Sequence, residues 1–298
     1  MTGHLKFSVV IPTYNRAKIV IECIKCVAVQ NYPKDSYEIV VVNDGSKDNT
    51  TELIESYLGG IPNLKLVNQT NKGPAAARNT GWQNAKNEIV AFTDDDCRPE
   101  PDWLLKLAQY FHKEPDLIGV GGIMYTPEDE IKIMTHHSLP IDRAIIEQAP
   151  FPGTNNVAYK RSALEKVNGF DGNVPYVSAE DFDLYVRIIK LGNVIYDVNL
   201  AMPHISRPMT WKQGMNTYKN FYLGFKAFEK KHPEEFKKMY QRKTSQGLFT
   251  KDSNILTILR RSIKYYFPDI LNPVLAFKVV TLYIATRIYL VSCWFTRT

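Results

Sequence analysis

Four short apolar runs punctuate the first 125 residues: FSVVI (Phe7–Ile11), EIVVVN (Glu38–Asn43), EIVAFT (Glu88–Thr93) and LIGVGGIMY (Leu117–Tyr125). Each is nearly continuous and rich in β-branched residues, the pattern of a strand covered on both faces, as in a parallel sheet. Between them the apolar positions take helical spacing, over roughly Ala17–Gln30, Asp48–Tyr57, Pro74–Ala85 and Asp102–His112. Pro74 directly after Gly73 suits a helix start, where the missing N–H costs nothing. Further on, Phe151–Val174 reads as a loop, a short strand and a short helix. Ser178–Asn193 reads as an amphipathic helix with Phe182, Tyr185, Val186 and Ile189 on one face, stopped by Gly192. VIYDV (Val194–Val198) reads as a last strand, and beyond His204 the pattern turns helical and basic. Tyr125–Ala149 gives no clear pattern. Strand–helix alternation of this kind predicts an α/β fold wound around a mostly parallel sheet.

Ligands of open α/β sheets sit beyond the carboxyl ends of the strands. The segments released there are PTYNR (Pro12–Arg16), DGSKDNT (Asp44–Thr50) and DDDC (Asp94–Cys97), all polar and all on one edge. The aspartate triplet stands out, because neighbouring carboxylates repel and are costly to dehydrate. A solvated acidic loop capping the helix near Asp102 would tolerate it, but a buried strand feeding straight into it favours a site. Asp44-Gly45-Ser46 also fits a plain turn, with Ser46 or Asp48 capping the next helix. Ser178-Ala179-Glu180-Asp181 likewise fits a capping box.

Charge divides the chain more sharply than its net value of +6 suggests. Met1–His204 carries 20 Lys and Arg against 26 Asp and Glu, a balance of −6. Ile205–Thr298 carries 17 against 5, a balance of +12. An acidic body with a basic extension implies an anionic surface as the extension's partner. The 298 residues and a hydrophobic fraction of 44% suit one large domain with an appendage, or two modest ones. Four cysteines make no disulfide or zinc framework, and Cys23-x-x-Cys26 falls on a helical pattern where packing accounts for it. The opening MTGHLKFSVVIPTYNR lacks the pattern of a secretory signal, so a reducing, cytoplasmic setting is the expectation.

Six pieces in order, SVVIPTYNR, VVNDGS, NKGPAAARNTG, FTDDDC, GTNNVAYKRSALEKVNGFD and AEDFDLYVRIIKLG, resemble the inverting glycosyltransferases of family 2. The resemblance covers roughly Phe7–His204. It implies a GT-A fold, Rossmann-like, with a nucleotide-sugar half over about 1–125, an acceptor half over about 126–204, and a helical extension over 205–298. It implies that Pro12, Thr13, Tyr14, Arg16 and Asp44 meet the nucleotide, and the chemistry fits: Tyr14 can stack on a base and Asp44 can accept from a base N–H or a ribose hydroxyl. Arg78, with Lys72 beside it, is implied at the nucleotide or diphosphate, where an arginine fork suits phosphate oxygens. The triplet corresponds to the family's D-x-D motif, with Asp96 at a Mn²⁺ or Mg²⁺ ion, Asp95 at ribose or metal, and Asp94 in support of both. A divalent cation would relieve the carboxylates' repulsion and take up charge on a departing diphosphate. His204 is implied as a further metal ligand. Asp181 matches the family's catalytic base, which takes a proton from the acceptor hydroxyl, with Glu180 and Asp183 as rivals. Asn155 in PGTNN, with Glu180, is implied on the acceptor side. The sequence lacks the Q-x-x-R-W motif of the processive polymerases, which argues for one sugar per encounter. The implied donor is a nucleoside-diphosphate sugar, uridine being the commonest family choice, and the acceptor a glycan or lipid-linked sugar of the cell surface.

The segment Pro273–Thr296 is apolar and aromatic but interrupted by Lys278 and Arg287. A charge at the centre of a spanning helix costs about 2.5–3.5 kcal/mol, so the expectation is an interfacial helix on anionic lipid, placing the protein peripherally at the cytoplasmic face. The long apolar stretch argues against nucleic acid as a partner. A sugar nucleotidyltransferase would need a glycine-rich phosphate loop that IPTYNR lacks. A non-catalytic nucleotide-sugar-binding protein would not need both DDD and ED. Oligomeric state is not legible.

Overall fold

The apolar runs end up where their patterning puts them, in the middle of a sheet. The computed structural model describes residues 4–125, 127, 153–172, 179–205, 220, 223, 224 and 226–238. Among these residues seven strands form one sheet in the order β3-β2-β1-β4-β6-β5-β7. They are β1 (Phe7–Thr13), β2 (Tyr37–Asn43), β3 (Leu64–Asn68), β4 (Ile89–Phe92), β5 (Gly119–Tyr125), β6 (Val157–Lys160) and β7 (Val194–Pro203). β3, β2, β1 and β4 run parallel, as do β5 and β7. β6 lies between β4 and β5, antiparallel to both. Every residue of β1, β2 and β4 is buried. The edge strand β3 alternates only partly, and the sequence pattern did not reveal it.

Helices α1 (Ala17–Ala28), α2 (Thr50–Leu58) and α4 (Trp103–Lys113) cover one face, packing with Val9, Ile11, Ile39 and Val41. Helices α3 (Pro74–Gln83), α5 (Arg161–Val167) and α6 (Glu180–Ile188) cover the other, packing with Val10, Val40, Val42 and Phe92. Alternate residues of one strand thus feed two cores, giving three layers. α3 lies tight on the sheet: a Cβ at Gly81 would stand 2.2 Å from Val10 Cγ1.

α6 departs from the expected single apolar face. Leu184 and Ile188 pack toward the sheet, whereas Phe182, Tyr185 and Val186 meet Phe228 and Phe236 of the helical segment 226–238. Ile189, expected on the buried face, is exposed. The helix closes at Ile188, four residues before the Gly192 expected to stop it. β7 runs five residues past its expected end, carrying the chain to His204. No helix among the described residues is long and apolar enough to cross a membrane. The segment 273–296, His136 and His137 lie outside the described residues.

Candidate active site

Because β1, β2 and β4 are parallel neighbours, they release Thr13, Asn43 and Phe92 toward one rim. Asp95 is buried there: one oxygen accepts from Thr13 Oγ1 at 2.7 Å and the other from Arg16 Nη1 at 2.5 Å. The same Arg16 nitrogen lies 2.8 Å from Asp96 Oδ2, so one guanidinium bridges two carboxylates. The other oxygen of Asp96 lies 3.2 Å from His204 Nε2. Main-chain pairing brings His204 across the molecule. Arg98 N donates to Pro203 O and Ile205 N to Asp96 O, both at 2.8 Å, around a bridge between Cys97 and His204.

Burial pushes both carboxylates up. At Asp95 it prevails over Arg16 and Thr13, with Asp96 adding repulsion, and the pKa rises to about 6. At Asp96 burial loses to the hydrogen bond and charge of His204, together with Arg16, and the carboxyl is held well below its usual range. Burial also opposes the His204 imidazolium, but the bond to Asp96 outweighs it and the pKa goes up.

Asp94 faces the other way, accepting from Arg78 Nη2 at 2.8 Å. Arg78 Nη1 lies 3.3 Å from Glu180 Oε1, its guanidinium stands 5.8 Å from the Phe170 ring, and its buried Nε has no hydrogen-bond partner among the described residues. Beside Glu180, in the first turn of α6, Asp181 accepts from Thr154 N at 3.1 Å and from Thr154 Oγ1 at 2.8 Å. Thr154 is 2% exposed, so the carboxylate is gripped from inside the protein. Burial raises the Asp181 pKa ahead of Arg78 and Thr154, which lower it, and nearby Asp94 adds to the rise. The rim therefore collects Asp94, Asp95, Asp96, Glu180 and Asp181 against Arg16, Arg78 and His204. Five carboxylates against two arginines and one histidine leave negative charge in surplus among the described residues.

Asp44 follows the end of β2 on the same rim. It is buried, and both oxygens are fully engaged: Oδ1 by Gln69 Nε2 (2.7 Å) and Lys72 N (2.8 Å), Oδ2 by Asn71 Nδ2 (3.1 Å) and Gly73 N (2.8 Å). Four donors meet the four acceptor positions of one carboxylate. Gly45, at φ 73°, makes the approach possible, since a Cβ there would lie 2.7 Å from Asn71 N. The loop 69–73 is thereby fixed on Asp44, and it leads directly into α3 and Arg78. Asp48 meets the start of α2, accepting from Thr50 N at 3.2 Å.

Tyr14 is exposed at the rim, whereas Pro12 is enclosed in β1 beside Val42. Lys72 lends its main-chain N–H to Asp44 and keeps its side chain exposed. Asn155 Nδ2 contacts Met124 Sδ at 2.8 Å and borders Gly153, close to Asp181. Of the rival bases, Glu180 is tied to Arg78, and Asp183 is tied to Arg187, Lys231 and His232. Sequence reasoning missed Thr154, whose only signal was its place in PGTNN, and missed Gln69 and Asn71 altogether.

Among the described residues no three His, Cys, Asp or Glu side chains converge on one metal position. The Asp96–His204 pair nonetheless has the carboxylate and imidazole donors of a borderline divalent ion, beside a surplus of negative charge.

The model of the family described as Glycosyl transferase family 2 matches residues 8–168. Glycosyltransferase AglE of Haloferax volcanii is 42% identical over 129 residues, 42% of each chain. Probable glycosyltransferase YdaM of Bacillus subtilis is 27% identical over 231 residues, 70% of this chain and 52% of that one. Poly(ribitol-phosphate) beta-N-acetylglucosaminyltransferase TarS of Staphylococcus aureus is 36% identical over 124 residues, 40% of this chain and 22% of that one. The matches thus span about half, or less, of these relatives' own length. Among solved structures, the mannosyltransferase PcManGT of Pyrobaculum calidifontis, in complex with GDP-Man and Mn²⁺, aligns with a TM-score of 0.60 at 24% identity, over 76% of this chain and 64% of that one. TarS 1–349 in complex with UDP-GlcNAc aligns with a TM-score of 0.56 at 24% identity, over 75% and 65%. At these identities the structural likeness is one of fold, and it agrees with the α/β, GT-A architecture expected from the sequence.

Proposed function

Since this chain belongs to glycosyltransferase family 2, we propose that it moves one sugar from a nucleoside-diphosphate donor to an acceptor hydroxyl, with inversion at the anomeric carbon. The observation that carries the reading is Asp181, a carboxylate of raised proton affinity held by Thr154 on the same rim as the aspartate triplet. A base must be ionised yet willing to take a proton, and a raised carboxylate meets both needs.

In this reading the nucleotide lies over the ends of β1 and β2. Tyr14, exposed there, stacks on the base, and Asp95 receives the ribose. Asp44 acts through the loop it holds, presenting Arg78 and the start of α3 at a fixed depth. Asp181 accepts the proton of the acceptor hydroxyl as that oxygen bonds to the anomeric carbon. The bond from that carbon to the diphosphate breaks, and the nucleoside diphosphate leaves with the electron pair. Asp96 and His204 would hold a divalent cation, Mn²⁺ or Mg²⁺, which supplies charge neutralisation for the leaving group. Glu180 keeps Arg78 beside Asp94, so the arginine's charge stays near the leaving group instead of pairing with the base. Asn155 lines the acceptor side.

A UDP-sugar is the favoured donor, and a glycan or lipid-linked sugar the acceptor. The unit 1–204 carries the chemistry. The basic extension, with 273–296, sets it against an anionic membrane surface at the cytoplasmic face. Two assays test this. A panel of nucleotide sugars that includes UDP-GlcNAc and GDP-Man, each with and without Mn²⁺ or Mg²⁺, should yield cation-dependent release of one nucleoside diphosphate. Asp181→Asn should lower turnover about 10²–10⁴-fold while nucleotide still binds. Turnover near wild type in that variant removes Asp181 from the role, and silence with every donor removes the activity. Flotation with anionic liposomes at low salt tests the membrane placement.

A further inference from the structure

Asp183 lies two residues beyond Asp181, on the opposite side of α6. It is 1% exposed and gathers two cationic side chains and a histidine. Arg187 reaches one oxygen from within the helix, through Nε at 2.8 Å and Nη2 at 2.6 Å. The other oxygen receives Lys231 Nζ at 2.5 Å and His232 Nε2 at 2.8 Å, both from the segment 226–238. Around this centre Phe228 and Phe236 pack on Ala179, Val186, Phe182 and Tyr185, and the ring of His232 sits 5.2 Å from that of Phe228. Lys231 also reaches Asp171, and Lys190 reaches Glu235. A segment of the basic extension is thus fastened to the helix that presents the proposed base.

The two kinds of contact fix different things. Aromatic packing holds α6 close, but it tolerates small slides and rotations. A buried carboxylate met by directed donors does not, since turning it away strands both its own charge and the cations. On its other side α6 is held by Leu184 and Ile188 against the sheet, and at its first turn by the Glu180–Arg78 pair and by Thr154, which donates to Asp181 itself. Directed bonds thus fix the rotation of the helix on both sides, and Asp183 is the one through which the extension takes part. We propose that His232 and Lys231 are positioning residues that act through Asp183 to aim Asp181, so that the segment 226–238 is part of the catalytic unit. This rests on the reading of Asp181 as the base.

The test uses the full chain. Turnover is counted per nucleotide-binding site, so that loss of folded protein lowers the number of sites and not the rate at each. His232→Phe keeps ring packing on Phe228 and deletes the bond to Asp183. Its kcat should fall about 10–100-fold, with the donor KM within about twofold, because Tyr14, Asp95, Asp96 and His204 lie on other elements. His232→Gln retains an N–H donor and should recover most of the loss. Lys231→Met, at a position 37% exposed, should fold normally and show the same split more weakly, and it decides the matter if His232→Phe yields no folded protein. Asp181→Asn runs in parallel. If it remains fully active, the base assignment fails and this proposal falls with it. If it is dead while His232→Phe and Lys231→Met keep wild-type kcat per site, only the positioning role is refuted. A fall in kcat that His232→Gln does not relieve also refutes it, because packing and not the directed bond would then be responsible.

Discussion

Replacing Asp44 with Asn separates two roles for a carboxylate at the end of β2. In the wild type it accepts four hydrogen bonds, two at each oxygen. An amide keeps one oxygen, so whichever way it turns, its NH₂ faces two donors. The side-chain amides of Gln69 and Asn71 can turn over to offer an oxygen, although Gln69 Oε1 already accepts from Thr80 at 2.5 Å. The main-chain N–H groups of Lys72 and Gly73 cannot turn, so one of them is left facing a donor. A hydrogen bond to a charged acceptor is worth about 1.5–3 kcal/mol, and an unsatisfied buried group costs about 1–3 kcal/mol. Allowing for relaxation of the loop, the variant should lose about 3 kcal/mol. In a domain of this size that lowers Tm by about 6–12 °C. Thermal unfolding and nucleotide titration should be run on the same preparation. The expected result is a large drop in Tm with a weakened, not abolished, nucleotide affinity that recovers as temperature is lowered. A Tm within about 2 °C of the parent, with nucleotide binding gone, would refute the clamp and make Asp44 a direct contact.

Asp181 should also appear in the pH profile. Its proton affinity is raised and the base works ionised, so kcat should climb with pH through a limb lying above the ordinary aspartate range; a limb at or below that range disconnects Asp181 from it. His204→Ala should raise the Mn²⁺ concentration for half-maximal turnover by at least about 10-fold, measured by metal titration after chelation, with Arg16 and Asp95 left paired. Gly81→Ala drives a methyl into Val10 and should cost about 1–3 kcal/mol, read from denaturant midpoints, by lifting α3 and Arg78 from the sheet.

What could be read beforehand followed from burial that leaves a pattern. β1, β2 and β4 are covered on both faces, and their unbroken apolar runs announce it. β3 escaped because an edge strand carries Lys65 and Asn68 in place of a continuous run. α6 was recognised as a helix, but its apolar side was misdrawn, since it is wedged between the sheet and the segment 226–238 and buries residues on both sides. The aspartate triplet was visible as chemistry, yet its partners were not: Arg16 lies 79 residues away from Asp95, and Arg78 reaches Glu180 across 102. The four donors that saturate Asp44 come from a stretch with no periodicity of its own. Asp183 and Arg187 stood at helical spacing in plain view. Nothing local tied them to Lys231 and His232.

The placement of β6 between β4 and β5 has a consequence for the newborn chain. A polypeptide emerging from the ribosome can assemble β1, β2, β3 and β4 as soon as they are out, but β5 must wait for β6, the strand that joins it to β4, which appears 32 residues later. During that interval β4 lacks the strand that covers this edge in the folded protein, and a ribosome stalled there would hold it in that state. The imidazole that meets Asp96 arrives later still, with residue 204. Any affinity for metal that depends on this pair is absent from the nascent chain until the sheet is complete.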